Sequence, residues 1–177
     1  TLICAGTFDM GCTAEQSALC STDEQPVRSV TLTHPYYMST TEMTVTQFED
    51  LTGFNPQLSE TCNSGTCAAV NLSWHMAANA VNLMSTAEGL TECYSCSGTG
   101  TGASCSQVVA PYDCEGYRLP TEAEWEKAAR CDEGYLYATS NSAGDGWYAS
   151  NSSSRGHTVA NFSANACGLY DMSGNAR

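Results

Sequence analysis

A chain of 177 residues with 19 acidic and 6 basic side chains, net charge −13, is repelled by a phosphate backbone, because nucleic-acid binding relies on Lys and Arg displacing counterions. The same deficit disfavours an anionic membrane surface, and no apolar run approaches the roughly 18–20 residues of a membrane-spanning helix. Three Trp, nine Tyr and four Phe at low charge density argue for a compact, acidic, loop-rich fold rather than disorder.

Residues 3–11 (ICAGTFDMG) and 27–33 (VRSVTLT) read as strands, the second with Val30 and Leu32 alternating against Ser29, Thr31 and Thr33. Thr1-Leu2-Ile3 is already strand-like and residue 1 is not Met, so a true N-terminus upstream is expected. Thr44-Val-Thr-Gln47 fits a capping box and predicts a short helix through Phe48 and Leu51 that Gly53 ends. Residues 55–70 form a turn-rich loop holding Cys62 and Cys67. Ser73 caps a second helix in which Met76, Ala80, Leu83, Met84 and Ala87 share one buried face, with Gly89 as the stop. Residues 91–116 read as a long Cys-, Gly-, Ser- and Thr-rich loop, a length that calls for function or cross-linking. Pro120 then precedes a second capping box, Thr121-Glu-Ala-Glu124, opening a helix with Trp125, Ala128 and Ala129 as its buried stripe. Glu126 and Arg130 form an i,i+4 ion pair worth about 0.2–0.5 kcal/mol. Residues 132–167 show no sustained period, and with no repeat or linker residues 1–177 read as one domain.

YRLPTEAEWEKAAR (117–130) and NACGLYDMSGNAR (165–177) resemble signatures of the formylglycine-generating-enzyme, or sulfatase-modifying-factor, domain. AGTFDMG (5–11), STTEMTVTQFEDLTG (39–53) and VNLSWHMAANAVNLMS (70–85) match the same family in the same order, so the resemblance spans the chain. It implies an α+β fold, an irregular variant of the C-type-lectin fold with about three helices, short antiparallel strands and many loops. It also implies that Arg118 and Asp171, which sit in core motifs with Glu124 and Trp125, serve a structural role through a buried Arg–carboxylate pair. Family enzymes bind Ca2+ through Asn side chains and backbone carbonyls, which the resemblance maps to Asn151 and the Gly174-Asn175 turn. Family members continue past that turn with a Trp-Glu-Trp segment, a Gly-Gly-Ser-Trp stretch carrying the copper-binding cysteine pair, and a closing Gly-Phe-Arg strand. Here Ala176-Arg177 follows and the quoted chain stops. The expectation is therefore a truncated domain with open strand edges, either a fragment or a protein completed by strands of a neighbour.

Eleven cysteines admit more than one reading. Cys93, Cys96, Cys105 and Cys114, spaced C-x2-C-x8-C-x8-C, offer four thiolates to zinc, and Cys93 to Gly100 matches the C-x-x-C-x-G-x-G of zinc-binding co-chaperones. That pattern needs two C-x-x-C pairs per metal, and only one occurs. Disulfides explain more. Cys12 and Cys20 flank one short loop and Cys62 and Cys67 another; Cys96–Cys105 nested inside Cys93–Cys114 staples the long loop; Cys131 and Cys167 suit a long-range pair. Short closures contribute about 2–3 kcal/mol and longer ones ~3–4. Zinc and free thiols stay open as alternatives, spacing does not fix connectivity, and Cys4 is left over. The disulfide reading implies an oxidising compartment: secreted, cell-surface or periplasmic.

His34, His75 and His157 show no ligand spacing and tie to no particular cysteine, so they read as structural or solvent-facing. Glu122, Glu124 and Glu126 diverge at i, i+2 on a helix and make no carboxylate pair. The sequons at Asn71, Asn151 and Asn161 recur by chance in an Asn- and Ser-rich chain, and no function is attached to them. The reading leans away from catalysis, toward an extracellular C-type-lectin-like module that binds a protein or glycan ligand or self-assembles into a fibre or surface layer. Within the resemblance, retroelement-diversified variable proteins use this fold for binding. The alternative is the N-terminal portion of a copper oxidase acting on a substrate cysteine. A sulfoxide synthase needs a three-His iron site, and none is readable here.

Overall fold

The computed structural model describes residues 1–12, 14–16, 19–56, 62, 64–153 and 155–176. Residues 57–61 and 63 of the expected 55–70 loop, and Arg177, lie outside them. In chain order the elements are β1 (Leu2–Ile3), β2 (Gly6–Met10), β3 (Arg28–Leu32), β4 (Tyr36–Tyr37), α1 (Val45–Thr52), α2 (Trp74–Ala87), β5 (Tyr94–Ser97), β6 (Ser104–Gln107) and α3 (Glu122–Arg130). Among the described residues, three short antiparallel ribbons, β1–β4, β2–β3 and β5–β6, account for the strands. The chain forms two compact units.

The first unit gathers residues 1–42, 121–154 and 159–175. The single strand expected over 3–11 is two, because the chain changes partner after Ile3. Leu2 and Ile3 pair with Tyr37 and Tyr36, whereas Gly6 through Met10 pair with Leu32 through Arg28. Along β2 the burial alternates, with Phe8 and Met10 inward and Thr7 and Asp9 outward; outside, the Thr7 and Thr31 hydroxyls meet at 2.7 Å. Helix α3 packs on β2 and β3. Its buried face is Glu124, Lys127, Ala128 and Ala129, and Ala128 joins Ile3 and Leu169 in a core flanked by Tyr36, Met38, Cys167 and Met172. Trp125, expected in that stripe, is instead 46% exposed. The buried face centres on positions 124, 127 and 128, which leaves position 125 at its edge.

The second unit gathers residues 43–120, 155–158 and 176–177. The capping box of α1 forms as its spacing predicts: the Gln47 N–H donates to Thr44 Oγ1 (3.2 Å) and the Thr44 N–H to Gln47 Oε1 (2.9 Å). Gly53, at φ 69°, ends the helix. Helix α2 starts on the Ser73 cap, and its buried positions are Met76, Ala78, Ala80, Asn82 and Ser85. Leu83 and Met84 are half-buried and Ala87 is exposed, so the apolar face expected through 83, 84 and 87 is rotated toward polar residues. Two apolar clusters flank α2. One is Phe48, Met76, Ala80 and Ala103, and the other Ala78, Cys93, Tyr94 and Cys105. Within the expected long loop, β5 and β6 form a hairpin packed on α2. Its turn needs glycine at position 100, where φ is +52° and a Cβ would stand 2.8 Å from the Phe54 ring.

Candidate functional site

Sulfur chemistry in this chain is structural. Disulfides join Cys12–Cys20, Cys62–Cys67, Cys93–Cys114, Cys96–Cys105 and Cys131–Cys167, and Cys4 is an exposed thiol. The four cysteines that zinc could have claimed are thus bonded in pairs. Cys96 and Cys105 lie directly opposite each other in the β5–β6 ribbon, with Cα atoms 4.1 Å apart. Asn82 holds the same ribbon from α2. Its Oδ1 accepts the Tyr94 N–H (3.1 Å) and its Nδ2 donates to the Tyr94 carbonyl (2.5 Å), the two bonds a neighbouring strand would supply. Nothing in the helical period marks Asn82 for this role; a carboxamide in mid-helix, where propensity is poor, is the one available signal.

The predicted histidines are used locally. His75 Nδ1 accepts the Cys105 N–H at 3.1 Å, the His34 ring is hydrogen-bonded to the Thr33 hydroxyl at 2.8 Å, and the His157 carbonyl accepts the Ala68 N–H at 3.1 Å. Arg118 Nη1 donates to the Leu119 carbonyl at 3.2 Å. Asp171, at φ 57°, accepts the Ala160 N–H at 2.6 Å. Burial raises its pKa above the usual carboxylate value, and the Ala160 hydrogen bond offsets this in part.

Asn151 uses both ends of its carboxamide on backbone: Oδ1 accepts the Tyr148 N–H at 2.6 Å and Nδ2 donates to the Gly146 carbonyl at 2.9 Å. Asn175 donates its N–H to the Trp147 carbonyl (2.9 Å) and its Nδ2 to Glu42 Oε2 (2.6 Å). Calcium takes about six to eight oxygens. Among the described residues no three His, Cys, Asp or Glu side chains are grouped to hold a metal. As placed, the two asparagines brace loops.

The chemically distinctive place is the C-terminal half of α3. At its start, Glu124 is fully buried and closes its capping box, with Oε2 accepting the Thr121 N–H at 2.8 Å. The Tyr36 hydroxyl donates to the Glu124 carbonyl at 2.5 Å. Two residues on, Glu126 Oε1 accepts the Gly11 N–H at 2.8 Å and Arg130 donates to the Gly11 carbonyl, while Glu126 and Arg130 pair at 2.7 Å with side chains 19% and 16% exposed. This ion pair is a clamp on the end of β2 rather than a solvated pair on a helix face. At the far end, the carboxamide of Asn165 donates to the Ala128 and Ala129 carbonyls (2.8 and 3.1 Å) and accepts the Cys167 and Leu169 N–H groups (both 3.0 Å). It thereby satisfies carbonyls a helix end leaves open. Cys131 and Asp132 follow, both at positive φ (48° and 61°), turning the chain back beside Lys127.

Between β2 and this turn lies a cavity of about 340 Å³ lined by Phe8, Asp9, Lys127, Arg130, Asp132 and Glu133, among others. Lys127 is the only lysine, its side chain is 8% exposed, and its ammonium lies 3.4 Å from Asp132 Oδ1 and 5.6 Å from the centre of the Phe8 ring. Reading α3 as an isolated helix leaves Lys127 an ordinary surface residue; only the packing of β2 makes it a buried cation.

A family model for the sulfatase-modifying factor enzyme 1-like domain matches residues 1–177. Among solved structures, Treponema denticola variable protein 1 is similar at 24% identity and a TM-score of 0.77, over 98% of this chain and 69% of that one. CarF is similar at 22% identity and a TM-score of 0.65, over 98% and 76%. PvdO from Pseudomonas aeruginosa is similar at 21% identity and a TM-score of 0.60, over 97% and 66%. At these identities the likeness establishes the fold. No curated protein sequence matches the chain.

Proposed function

The chain belongs to the sulfatase-modifying factor enzyme 1-like domain family, and from that premise we propose that it is a secreted or surface-exposed, non-catalytic module that binds a protein or glycan ligand or assembles outside the cell. The observation that carries the reading is the state of the sulfur. Five disulfides take ten of the eleven cysteines, in both compact units. Cross-links of this density persist in oxidising compartments, and a bonded cysteine is neither a nucleophile nor a thiolate ligand. Several of the bonds close loops, the elements on which binding surfaces are commonly displayed. No helix among the described residues is long and apolar enough to cross a membrane.

Two measurements test this. Fractionation of the producing cells places the protein in the extracellular, surface or periplasmic fraction; recovery in the cytoplasm overturns the reading. Incubation of the full chain with copper, oxygen and a cysteine-containing peptide gives no aldehyde product; sustained turnover makes it an oxidase. Light scattering of the purified protein then separates a monomeric binder from an assembling subunit.

A further inference from the structure

We infer that the cavity beside the C-terminal half of α3 binds a small zwitterion of the α-amino-acid type, its carboxylate on Lys127 and its ammonium toward Asp132 and Glu133. This goes beyond the protein or glycan ligand proposed above by adding a small-molecule subsite to the same module, and it rests on the module reading. The argument starts from Lys127. Burying an ammonium is costly unless its donors are engaged, and an ammonium has three. Here the side chain is 8% exposed, yet its hydrogen-bonding partner is one carboxylate oxygen at a long 3.4 Å, on an Asp132 side chain that is itself 82% exposed. The Phe8 face at 5.6 Å adds a cation–π contact and no acceptor lone pair. Donor capacity is therefore left over, and Lys127 lines the cavity.

Arg130, on the same wall, is committed to Glu126 and to the Gly11 carbonyl. Lys127 brings open donors to a cavity that Asp132 and Glu133 also line. A simple anion drawn to Lys127 meets those carboxylates, and a simple cation drawn to them meets Lys127. A ligand with both charges a few bonds apart matches both. The volume, about 340 Å³, sits at the small end of ligand cavities and admits an amino acid.

The test uses the full chain with glycine, alanine, acetate and ethylammonium as probes. Binding is read by calorimetry, with Lys127→Met and Asp132→Asn placing it at the cavity. Glycine and alanine bind with measurable heat. Acetate and ethylammonium bind about 10-fold or more weaker, and Lys127→Met loses about 10- to 100-fold in zwitterion affinity, the range one charge-assisted hydrogen bond supports. Asp132 is exposed, so Asp132→Asn keeps the fold even if Lys127→Met does not. It weakens glycine binding and strengthens acetate binding. Equal binding of acetate and glycine, no heat with glycine or alanine, or an Asp132→Asn variant that binds glycine unchanged overturns the inference. Those results, obtained with the five disulfides intact, leave the module reading standing; cysteines found reduced in the native protein overturn the module reading whatever the cavity binds.

Discussion

Replacing Cys93 and Cys114 together by alanine removes the outer staple of the β5–β6 hairpin. The bond joins residues 21 apart in sequence, and Cys96–Cys105 already closes 9 of those. By the chain-entropy relation, an unaided 21-residue closure constrains the unfolded chain by about 3.3 kcal/mol at 25 °C. Subtracting the segment inside the inner bond leaves an effective loop of roughly 12 residues, and the figure falls to about 2.8 kcal/mol. Cys93 is 1% exposed and packs with Ala78, Tyr94 and Cys105, so losing its sulfur opens a small void costing about 1 kcal/mol more. A total near 4 kcal/mol lowers the melting temperature of a chain this size by roughly 8–15 °C. Thermal unfolding of the parent and the double variant, without reductant, measures it. A drop below about 3 °C, or a parent whose melting temperature is unmoved by reductant, refutes the reasoning that this bond restrains the hairpin.

Asn165→Ala leaves two helix-end carbonyls and two N–H groups without their buried partner and is expected to cost about 3 kcal/mol in denaturant unfolding. Arg130→Ala strands Glu126 and the Gly11 carbonyl at the end of β2, for a loss of about 2–4 kcal/mol; an effect under ~0.5 kcal/mol would return the pair to an ordinary surface i,i+4 contact. Asp171 has a folded-state pKa raised above 3.8 by burial. Its protonated form therefore favours folding, a contribution fully present below the unfolded value and lost as pH rises through the folded value. Asp171→Asn, which can still accept the Ala160 N–H, lacks that loss. Its melting temperature gains on the parent as pH rises from about 3 to about 7, and a constant difference across that range contradicts the assignment.

The helices were legible because their signals are local. The boxes at Thr44–Gln47 and Thr121–Glu124 and the stop at Gly53 fix α1 and the start of α3 from adjacent residues. Faces were less legible. An apolar period points α2 at Leu83 and Met84, but Asn82 and Ser85 turn inward because the hairpin and Tyr117 offer them backbone partners. The hairpin itself was hidden, since YSCS and SCSQ lack the β-branched residues of a strand; the Cys96–Cys105 bond and Asn82 take the place of propensity. Lys127 could not be found from sequence at all. Its meaning depends on β2 packing against α3, with no signal in the residues that flank it.

Non-reducing peptide mapping of the protein isolated from its native source, with thiols trapped at lysis, tests the central claim most directly. The account predicts Cys12–Cys20, Cys62–Cys67, Cys93–Cys114, Cys96–Cys105 and Cys131–Cys167 as linked peptides and Cys4 as the trapped thiol. Predominantly trapped thiols at Cys93, Cys96, Cys105 and Cys114, above all with stoichiometric zinc, would contradict it.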